Sequence, residues 1–272
     1  MTKRECGPVG CSVCGRALPP SGRGRPARYC SRACRARAYR DRVAERQQLD
    51  VDLPEEAAAL TPERVVRAAI GLADREGVAA LSMRRVAAEL NAGPMSLYRY
   101  VRGKEELGGM MIDAVFGDRP LPEPGPAGWR NRLELSARRE WEIYLDHAWV
   151  PQLATITTRP PLAPRMMAYT DWRIRAVDGL GLDFATMVRI AIMVSTHVQG
   201  AAQPLARERR ERSTREEWLL VRRGPIRETF GSGALPMIER FDDDALRASE
   251  PDSVFEFGLR CLLDGVERLI SS

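Results

Sequence analysis

Between residues 61 and 107, apolar side chains recur every three or four positions in three short runs separated by capping and turn residues. The first run follows Thr61, the second follows Ser82, and the third begins at Pro94, and all three residue types suit a helix N-terminus. The apolar positions of the first two runs are Val65, Val66, Ala69, Ile70, Ala73, Met83, Val86, Ala87 and Leu90. This spacing predicts three short helices in a helix-turn-helix arrangement.

The turn and the third helix of this segment carry the residues that point to a partner. Asn91 lies at the turn, where a positive φ is often required and Asn tolerates it better than any residue except Gly. With Leu97 and Val101 facing inward, a third helix of about eight residues leaves several polar and aromatic side chains on its outer faces. These are Met95, Ser96, Tyr98, Arg99 and Tyr100. Exposed aromatic side chains on so short a helix indicate a contact surface.

This segment resembles the TetR family of bacterial repressors. The match needs no gaps and lies on Ala68-Ala69, Glu76-Gly77, Leu81 to Ala87, Leu90, Ser96-Leu97-Tyr98 and Lys104 to Leu107. The resemblance implies a homodimer that places two recognition helices in successive major grooves of a palindromic, double-stranded DNA operator. The chain departs from the family pattern at Asn91, which replaces the usual turn Gly, and at Gly93, where a relative carries a side chain that contacts a base.

The resemblance also implies roles for individual residues. Arg84 matches a base-reading arginine, whereas Ser82, Tyr98 and Lys104 match positions that contact phosphates. The complete set of DNA-binding residues expected from this match and from the outer face of the third helix is Ser82, Arg84, Pro94, Met95, Ser96, Tyr98, Arg99, Tyr100 and Lys104.

The remainder of the chain predicts an all-α protein. A fourth helix from Lys104 to about Phe116 completes a DNA-binding domain over 61–117, and the Pro- and Gly-rich stretch 117–128 marks a boundary. Residues 126–272 are expected to form a helical effector-binding and dimerisation domain, because no alternating strand pattern occurs there. Its predicted helices lie near 129–147, 149–156, 162–180, 183–203, 214–230 and 252–270. By the resemblance, two late helices of each subunit pack as a four-helix dimer interface.

The expected effector is a small apolar or aromatic molecule of unknown identity, bound between helices of the C-terminal domain. Wide apolar and amphipathic side chains are the candidates for its pocket, namely Trp141, Tyr144, His147, Met166, Tyr169, Trp172 and His197. The same side chains also fill ordinary cores. The two histidines show no metal-binding spacing.

An N-terminal arm over residues 1–46 is strongly basic. It holds twelve basic and three acidic side chains, a net charge of +9, whereas the whole chain carries +5. Such a charge favours a polyanionic partner. Within the arm, Arg23-Gly24-Arg25-Pro26 is similar to an AT-hook, although a solvated loop fits these residues as well. A linker over 47–60 follows, either mobile or a short helix.

The arm contains five of the six cysteines, and four of them have the spacing of a structural Zn²⁺ site. Cys11-x2-Cys14 and Cys30-x3-Cys34 form two close pairs separated by a loop. The arm has few large apolar side chains, so a metal would supply the stability that burial cannot. The run is similar to small zinc-ribbon-like extensions. Unliganded thiols and disulfides are the alternatives, and Cys6 is interpreted as a spare thiol.

The sequence argues against a membrane protein and against an enzyme. No stretch approaches the roughly 20 apolar residues of a membrane span, and the N-terminus lacks an apolar signal core, which predicts a cytoplasmic location. No phosphate-binding loop or nucleophile arrangement occurs in a recognisable context. The function expected is therefore a ligand-responsive, DNA-binding transcriptional repressor. The alternatives are an activator and a zinc- or thiol-based redox sensor in which the cysteine module controls DNA or protein binding.

Overall fold

The computed structural model describes residues 10–18, 28–49, 60–154, 161–211, 214–231 and 233–271. The chain divides into two compact units, Met1–Leu60 and Thr61–Ser272. In the described part of the first unit, a tight turn over 10–18 precedes helix α1 (Arg32–Leu49). A basic helix thus contains the last arm cysteine, Cys34, and it continues three residues, 47–49, into the segment predicted as a linker. Cys6 and the Arg23–Pro26 motif lie outside the described residues.

The second unit begins with the predicted helix-turn-helix. Its helices are α2 (Pro62–Glu76), α3 (Met83–Glu89), α4 (Pro94–Leu97) and α5 (Lys104–Gly117), with a 3₁₀ turn at Val78–Ala80. The hydroxyls of Thr61 and Ser82 cap α2 and α3 by accepting the backbone N–H three residues on, both at 3.3 Å. Asn91 has a φ of 51° and supplies the turn, as predicted. Helix α4 is shorter than expected, because the chain leaves it in a turn at Tyr98.

Seven further helices complete the described part of the second unit. They are α6 (Trp129–Asp146), α7 (Val150–Leu153), α8 (Pro164–Ala176), α9 (Phe184–Glu211), α10 (Arg215–Phe230), α11 (Asp243–Ala248) and α12 (Pro251–Ile270). Helix α9 packs against α6, α8 and α12 and forms the centre of this domain. The structure is thus all-helical as predicted, apart from two details. Helix α9 runs eight residues past its predicted end, through Pro204, and α11 was not predicted.

The core of the C-terminal helices contains a buried ion pair that the sequence pattern did not reveal. Arg173 on α8 is fully buried and its Nη2 lies 2.6 Å from Oε2 of Glu140 on α6, which is also buried. Arg173 Nε donates to the hydroxyl of Ser136 at 2.8 Å, and Tyr144 donates to Glu140 Oε1 at 2.6 Å. Because every member has a partner, the network offsets the cost of removing two charges from water.

Across the residues the structure describes, no helix combines the length and the apolar character needed to cross a bilayer.

Candidate nucleic-acid interface and thiol centre

The outer face of the turn-helix pair α3–α4 presents its side chains to solvent. Met95 is 77% exposed and Tyr98 is 46% exposed, although both are large and apolar or aromatic. Leu97 and Val101 are buried on the opposite side and hold this segment against the other helices. The arrangement is the predicted one, and it leaves a surface of large side chains that nothing in the described part of the chain covers.

Two adjacent arginines of α3 have different environments. Arg85 forms an ion pair with Glu76 across the helix-turn-helix, at 2.5 Å. Arg84 is exposed, and no acidic side chain among the described residues pairs with it. An unpaired guanidinium on the outer face is suited to bidentate contact with a guanine edge. The base-reading role that the resemblance implies for Arg84 stays a prediction.

The phosphate-contacting candidates flank this face. Lys104 opens α5 and is exposed, with its Nζ 3.5 Å from the carbonyl oxygen of Val78. The hydroxyl of Ser82 accepts the cap bond from Arg85 N, but its O–H remains available as a donor. Pro94, Ser96 and Arg99 are exposed and Tyr100 is half-buried. The nine predicted DNA-binding residues thus lie within one contiguous part of the fold, between α3 and the start of α5.

The four arm cysteines converge in the first unit. Their sulfur atoms all lie within 4.8 Å of one another. The Sγ atoms of Cys14 and Cys30 are 3.4 Å apart, those of Cys30 and Cys34 are 3.6 Å apart, and those of Cys34 and Cys14 are 3.8 Å apart. Four thiolates around a tetrahedral Zn²⁺ at about 2.3 Å would be separated by about 3.8 Å. The donor set and its spacing therefore fit a zinc ion.

Local backbone structure explains why these sulfurs converge. Gly15, with a φ of 71°, closes the turn after Cys14, and its N–H donates to the Cys11 carbonyl at 2.9 Å. The side chain of Ser31 accepts the N–H of Cys34 at 3.2 Å and starts α1. Ser12 N–H donates to the Arg28 carbonyl at 3.1 Å and so joins the two halves. A turn and a helix N-terminus thus each present a pair of thiols to a common point.

The thiols differ in acidity. Hydrogen bonds from the backbone N–H groups of Val13, Cys14 and Cys30 lower the pKa of Cys11 to about 6. The pKa of Cys30 is raised to about 12, first because of its hydrogen bond with Cys14 and then because of that with Cys34. Thiolates are the form that binds zinc, and the backbone donors around Cys11 stabilise that form.

Comparison with known proteins places the fold and this surface in a family. Residues 121–270 match the profile described as the tetracyclin repressor-like C-terminal domain, and residues 65–108 match that of the bacterial regulatory proteins of the tetR family. The chain belongs to the TetR family. It is accordingly a DNA-binding transcriptional regulator and not an enzyme.

Relatives of this TetR-family regulator include a curated repressor and a solved complex. The HTH-type transcriptional repressor DrrR1 of Streptomyces coeruleorubidus is 39% identical over 220 residues, which are 78% of this chain and 79% of that protein. The crystal structure of ActR from Streptomyces coelicolor in complex with actinorhodin is 27% identical, with a TM-score of 0.64 over 79% of this chain and all of ActR. The class A tetracycline repressor from transposon 1721 of Escherichia coli is 25% identical over 77% of the chain and 91% of its own length.

The seven side chains predicted to line an effector pocket fall into three groups in this regulator. Trp141 stacks on Phe255, with ring centroids 4.6 Å apart, and the ring of His197 lies 6.0 Å from the same Phe255. Tyr144 is buried beside Glu140, and Tyr169 lies edge-on to Phe116 at 5.0 Å. His147 lies apart from both groups, against Asp74. Met166 and Trp172 are buried on α8 beside Tyr169.

Two cavities of about 540 Å³ each occur among the described residues of the C-terminal domain. One is an open groove on α9 bordered by Ile192, Met193 and His197. The other lies between the end of α9, α10 and the start of α12, and Arg207, Arg215 and Trp218 border it. Of the seven predicted pocket residues, His197 borders the first of these two cavities, and none of them borders the second. The pocket assignment thus stays a prediction.

A contact that the sequence pattern did not indicate joins the two halves of the second unit. Asp74 on α2 accepts a hydrogen bond from Trp149 Nε1 at 2.7 Å, and His147 Nδ1 lies 2.9 Å from the same carboxylate oxygen. Within the DNA-binding half, Arg67 of α2 forms a bidentate pair with Asp118 at the end of α5, at 2.5 and 2.7 Å. This pair holds the pKa of Asp118 below its usual range, chiefly through the hydrogen bond from Arg67. The contacts of Asp74 therefore connect α2 with the C-terminal helices.

Proposed function

We propose that this regulator is a repressor that binds a palindromic operator as a homodimer and releases it when a small apolar or aromatic effector binds. The observation that carries the proposal is the uncovered outer face of α3–α4, where Arg84, Met95 and Tyr98 are exposed. Side chains of this kind read base edges and contact phosphates in helix-turn-helix proteins. The likeness to DrrR1, which is named a transcriptional repressor, supports the sign of regulation.

Dimerisation is supported by apolar side chains on α9 and α12. Phe184 and Met193 on α9, and Val254, Phe257 and Leu269 on α12, are all more than 40% exposed. The two helices pack against each other. A second copy that covers this surface would bury it, and each Å² of buried apolar surface contributes roughly 25 cal/mol of favourable free energy. A C₂ dimer would also place two recognition helices on a palindromic site.

A small-molecule effector is supported by ActR, whose structure was solved in complex with actinorhodin. Met166 and Trp172, which are buried on α8, are candidates for contact with such an effector, and Trp141 lies in a separate group against Phe255. Because these side chains are packed in this structure, effector entry would require them to move. Such a rearrangement changes DNA binding only if the effector has different affinities for the operator-binding conformation and for the conformation that releases the operator.

The coupling is proposed to run through the contacts of α2 and α5 with the effector domain. Asp74 joins α2 to Trp149, and Tyr169 on α8 packs on Phe116 of α5. A shift of α8 on effector binding would move α5, and α5 is continuous with the phosphate-contacting Lys104. The two recognition helices of the dimer would then lose the spacing of successive major grooves, and the operator would be released.

The test begins with selection of genomic fragments by the purified full-length protein, followed by sequencing. The proposal expects an enriched palindromic sequence, lower transcription in vitro from the promoter that contains it, and release of that fragment by an aromatic probe such as actinorhodin. Higher transcription would make the protein an activator. Failure to enrich any sequence would overturn the assignment of a specific operator.

A structural zinc ion in the thiol centre is proposed as well, because the Sγ separations of 3.4 to 3.8 Å fit tetrahedral coordination. A second candidate function, thiol-based redox sensing, is favoured by the exposure of Cys14 at this centre. The two are separated by oxidising or alkylating the protein and titrating the selected DNA. A structural role alone predicts zinc loss with retained operator specificity, whereas a sensor predicts loss of regulation at the promoter.

A further inference from the structure

Helix α1 carries a row of basic side chains along one face. Arg32, Arg35 and Tyr39 are spaced at i, i+3 and i+7, and Arg42 and Arg46 occupy the next positions of the same spacing. We name these five positions the arginine stripe. The described side chains of the stripe are exposed, and Tyr39 retains 65% of its accessible surface. Because the helix rises about 1.5 Å per residue, the stripe from Arg32 to Arg46 spans about 21 Å and is long enough to follow several phosphates of a duplex.

The other side of α1 has a different character. Cys34 and Ala38, four residues apart, are the half-buried positions among the described side chains of the helix. Cys34 faces the thiol centre, and Asp41 follows it at i+7 on the same side. The acidic side chain therefore does not lie within the stripe, and no described acidic side chain forms an ion pair with Arg32 or Arg35. The positive charge of the stripe is left for an external partner.

The thiol centre fixes the first turn of this helix. Cys34 is held beside Cys14 and Cys30, and Ser31 caps the helix through the N–H of Cys34. Arg32 and Arg35 flank Cys34 directly, so their backbone is positioned by the same contacts. A pre-organised helix loses less conformational freedom on binding than an extended basic tail would. The arm thus presents its guanidinium groups from a defined surface.

We infer that the arginine stripe of α1 binds backbone phosphates of double-stranded DNA and so increases the DNA affinity that the helix-turn-helix provides. The inference rests on the proposed function for its biological setting, but it concerns a surface outside the family match, which begins at residue 65. A partner with a dense row of negative charges complements the exposed guanidinium groups of Arg32 and Arg35, and guanidinium groups bind phosphate in a bidentate manner. Contacts of this type supply affinity without base specificity.

The test is the salt dependence of binding to two duplexes of equal length, one with the selected operator and one of random sequence. The full-length protein is compared with Arg32→Gln/Arg35→Gln, in which two stripe charges are lost. The matched control is Arg37→Gln/Arg40→Gln, which removes the same charge from the same helix outside the stripe. Arg32→Lys/Arg35→Lys retains the charge and serves as the variant that keeps both helix and positive surface.

If the stripe contacts phosphates, the plot of log K against log salt concentration should become less steep for the stripe variant. The slope should change by about 0.9 for each phosphate contact that is lost. At 50 mM salt the affinity of this variant for both duplexes should fall by roughly 10-fold or more, since each released counterion contributes several-fold. The control variant and the lysine variant should remain close to the wild-type slope. Equal losses in stripe and control variants, or no loss in either, would overturn the inference.

The random-sequence duplex keeps this test independent of the operator. One outcome is that no operator can be selected, but that the salt dependence of binding to random DNA is still weaker for the stripe variant than for wild type. Sequence-specific repression is then refuted, and the phosphate contact of the stripe is supported. If the stripe variant binds the operator as tightly as wild type and with the same salt dependence, the stripe does not contact phosphates. The proposed repressor function is unaffected by that result. A protein partner for the arm would give this second outcome. Zinc content of each variant is measured in parallel, and binding is compared at equal zinc content.

Discussion

The carboxylate of Asp74 accepts a hydrogen bond from the indole Nε1 of Trp149 over a distance of 2.7 Å. The two residues are 75 positions apart, and the bond joins the first helix of the DNA-binding domain to the effector domain. Trp149 is almost fully buried, so its N–H loses its acceptor if Asp74 is removed. The contact is therefore both a structural bond and a candidate path between the two functions of the molecule.

Replacement of Asp74 tests this contact. Asp74→Ala is expected to destabilise the protein by about 1–3 kcal/mol, because the buried indole N–H is left without an acceptor. Asp74→Asn keeps an oxygen acceptor and should cost less. Urea unfolding of Asp74→Ala, Trp149→Phe and the double variant measures the pair. Additive effects of the two substitutions would contradict a direct energetic link.

The buried pair of Arg173 and Glu140 predicts a larger effect. Arg173→Met should lower the free energy of unfolding by about 3–5 kcal/mol, since Glu140 would remain buried without its counter-charge. The double variant Arg173→Met/Glu140→Leu should recover much of the loss. Arg247→Ala, which breaks the exposed pair with Asp244, serves as the control and should change stability by less than about 1 kcal/mol. Similar losses in Arg173→Met and the control would argue against a special role for the buried charge.

The DNA interface is tested by Tyr98→Ala and Lys104→Ala. Each is expected to weaken operator binding by on the order of 1–2 kcal/mol through loss of a phosphate contact. Gel-shift titration at fixed salt measures the effect, and Glu105→Gln, next to Lys104 on the same helix, is the control. Unchanged binding in both alanine variants would refute the docking assigned to α4 and α5.

The thiol centre predicts a defined metal content. The purified protein should carry about one zinc ion per chain, and Cys34→Ser should lose it because a four-thiolate site needs all its ligands. Cys261→Ser, a cysteine in α12 outside the centre, should keep it. Metal analysis by mass spectrometry and far-UV circular dichroism after chelation provide the measurement. A zinc content near zero in freshly purified protein would contradict a zinc site at the four thiols.

Close packing between α9 and α12 makes a prediction at a glycine. A Cβ added to Gly258 would lie 2.2 Å from Cε1 of His197, whose Nε2 is hydrogen-bonded to the Phe255 carbonyl. Gly258→Ala should therefore cost about 1–3 kcal/mol by overpacking. Gly265→Ala on the same helix meets no atom within 4 Å and should be neutral or stabilising. Thermal unfolding at equal protein concentration compares the two variants, and equal stability would disprove the steric contact.

Local signals in the sequence were sufficient for the DNA-binding part. Thr61 and Ser82 cap helices where expected, Asn91 adopts the positive φ that the turn requires, and Leu97 and Val101 are buried. Each of these features depends on residues within a few positions of one another. The cysteine spacing likewise anticipated the convergence of the four thiols, because each close pair is set by its own turn or helix start.

Two predicted helix ends differ from the observed ones. Helix α4 ends at Leu97, although the apolar spacing extends to Val101, and residues 98–100 form a turn in which the N–H groups of Tyr100 and Val101 both donate to the Leu97 carbonyl. Helix α9 continues through Pro204, where composition predicted an end. Packing of α9 against several neighbours offsets the hydrogen bond that Pro204 cannot donate.

The sequence by itself determined the helical fold, the position of the helix-turn-helix, the basic charge of the arm and the convergence of the four thiols. Periodicity, capping and spacing suffice for these features because they act over short distances. Only the tertiary structure decided that Asp74 meets Trp149, that Arg173 is buried with Glu140, and that the predicted pocket side chains fall into separate groups. Such pairs lie 33 to 75 positions apart. Their proximity follows from how whole helices pack, and no local pattern encodes it.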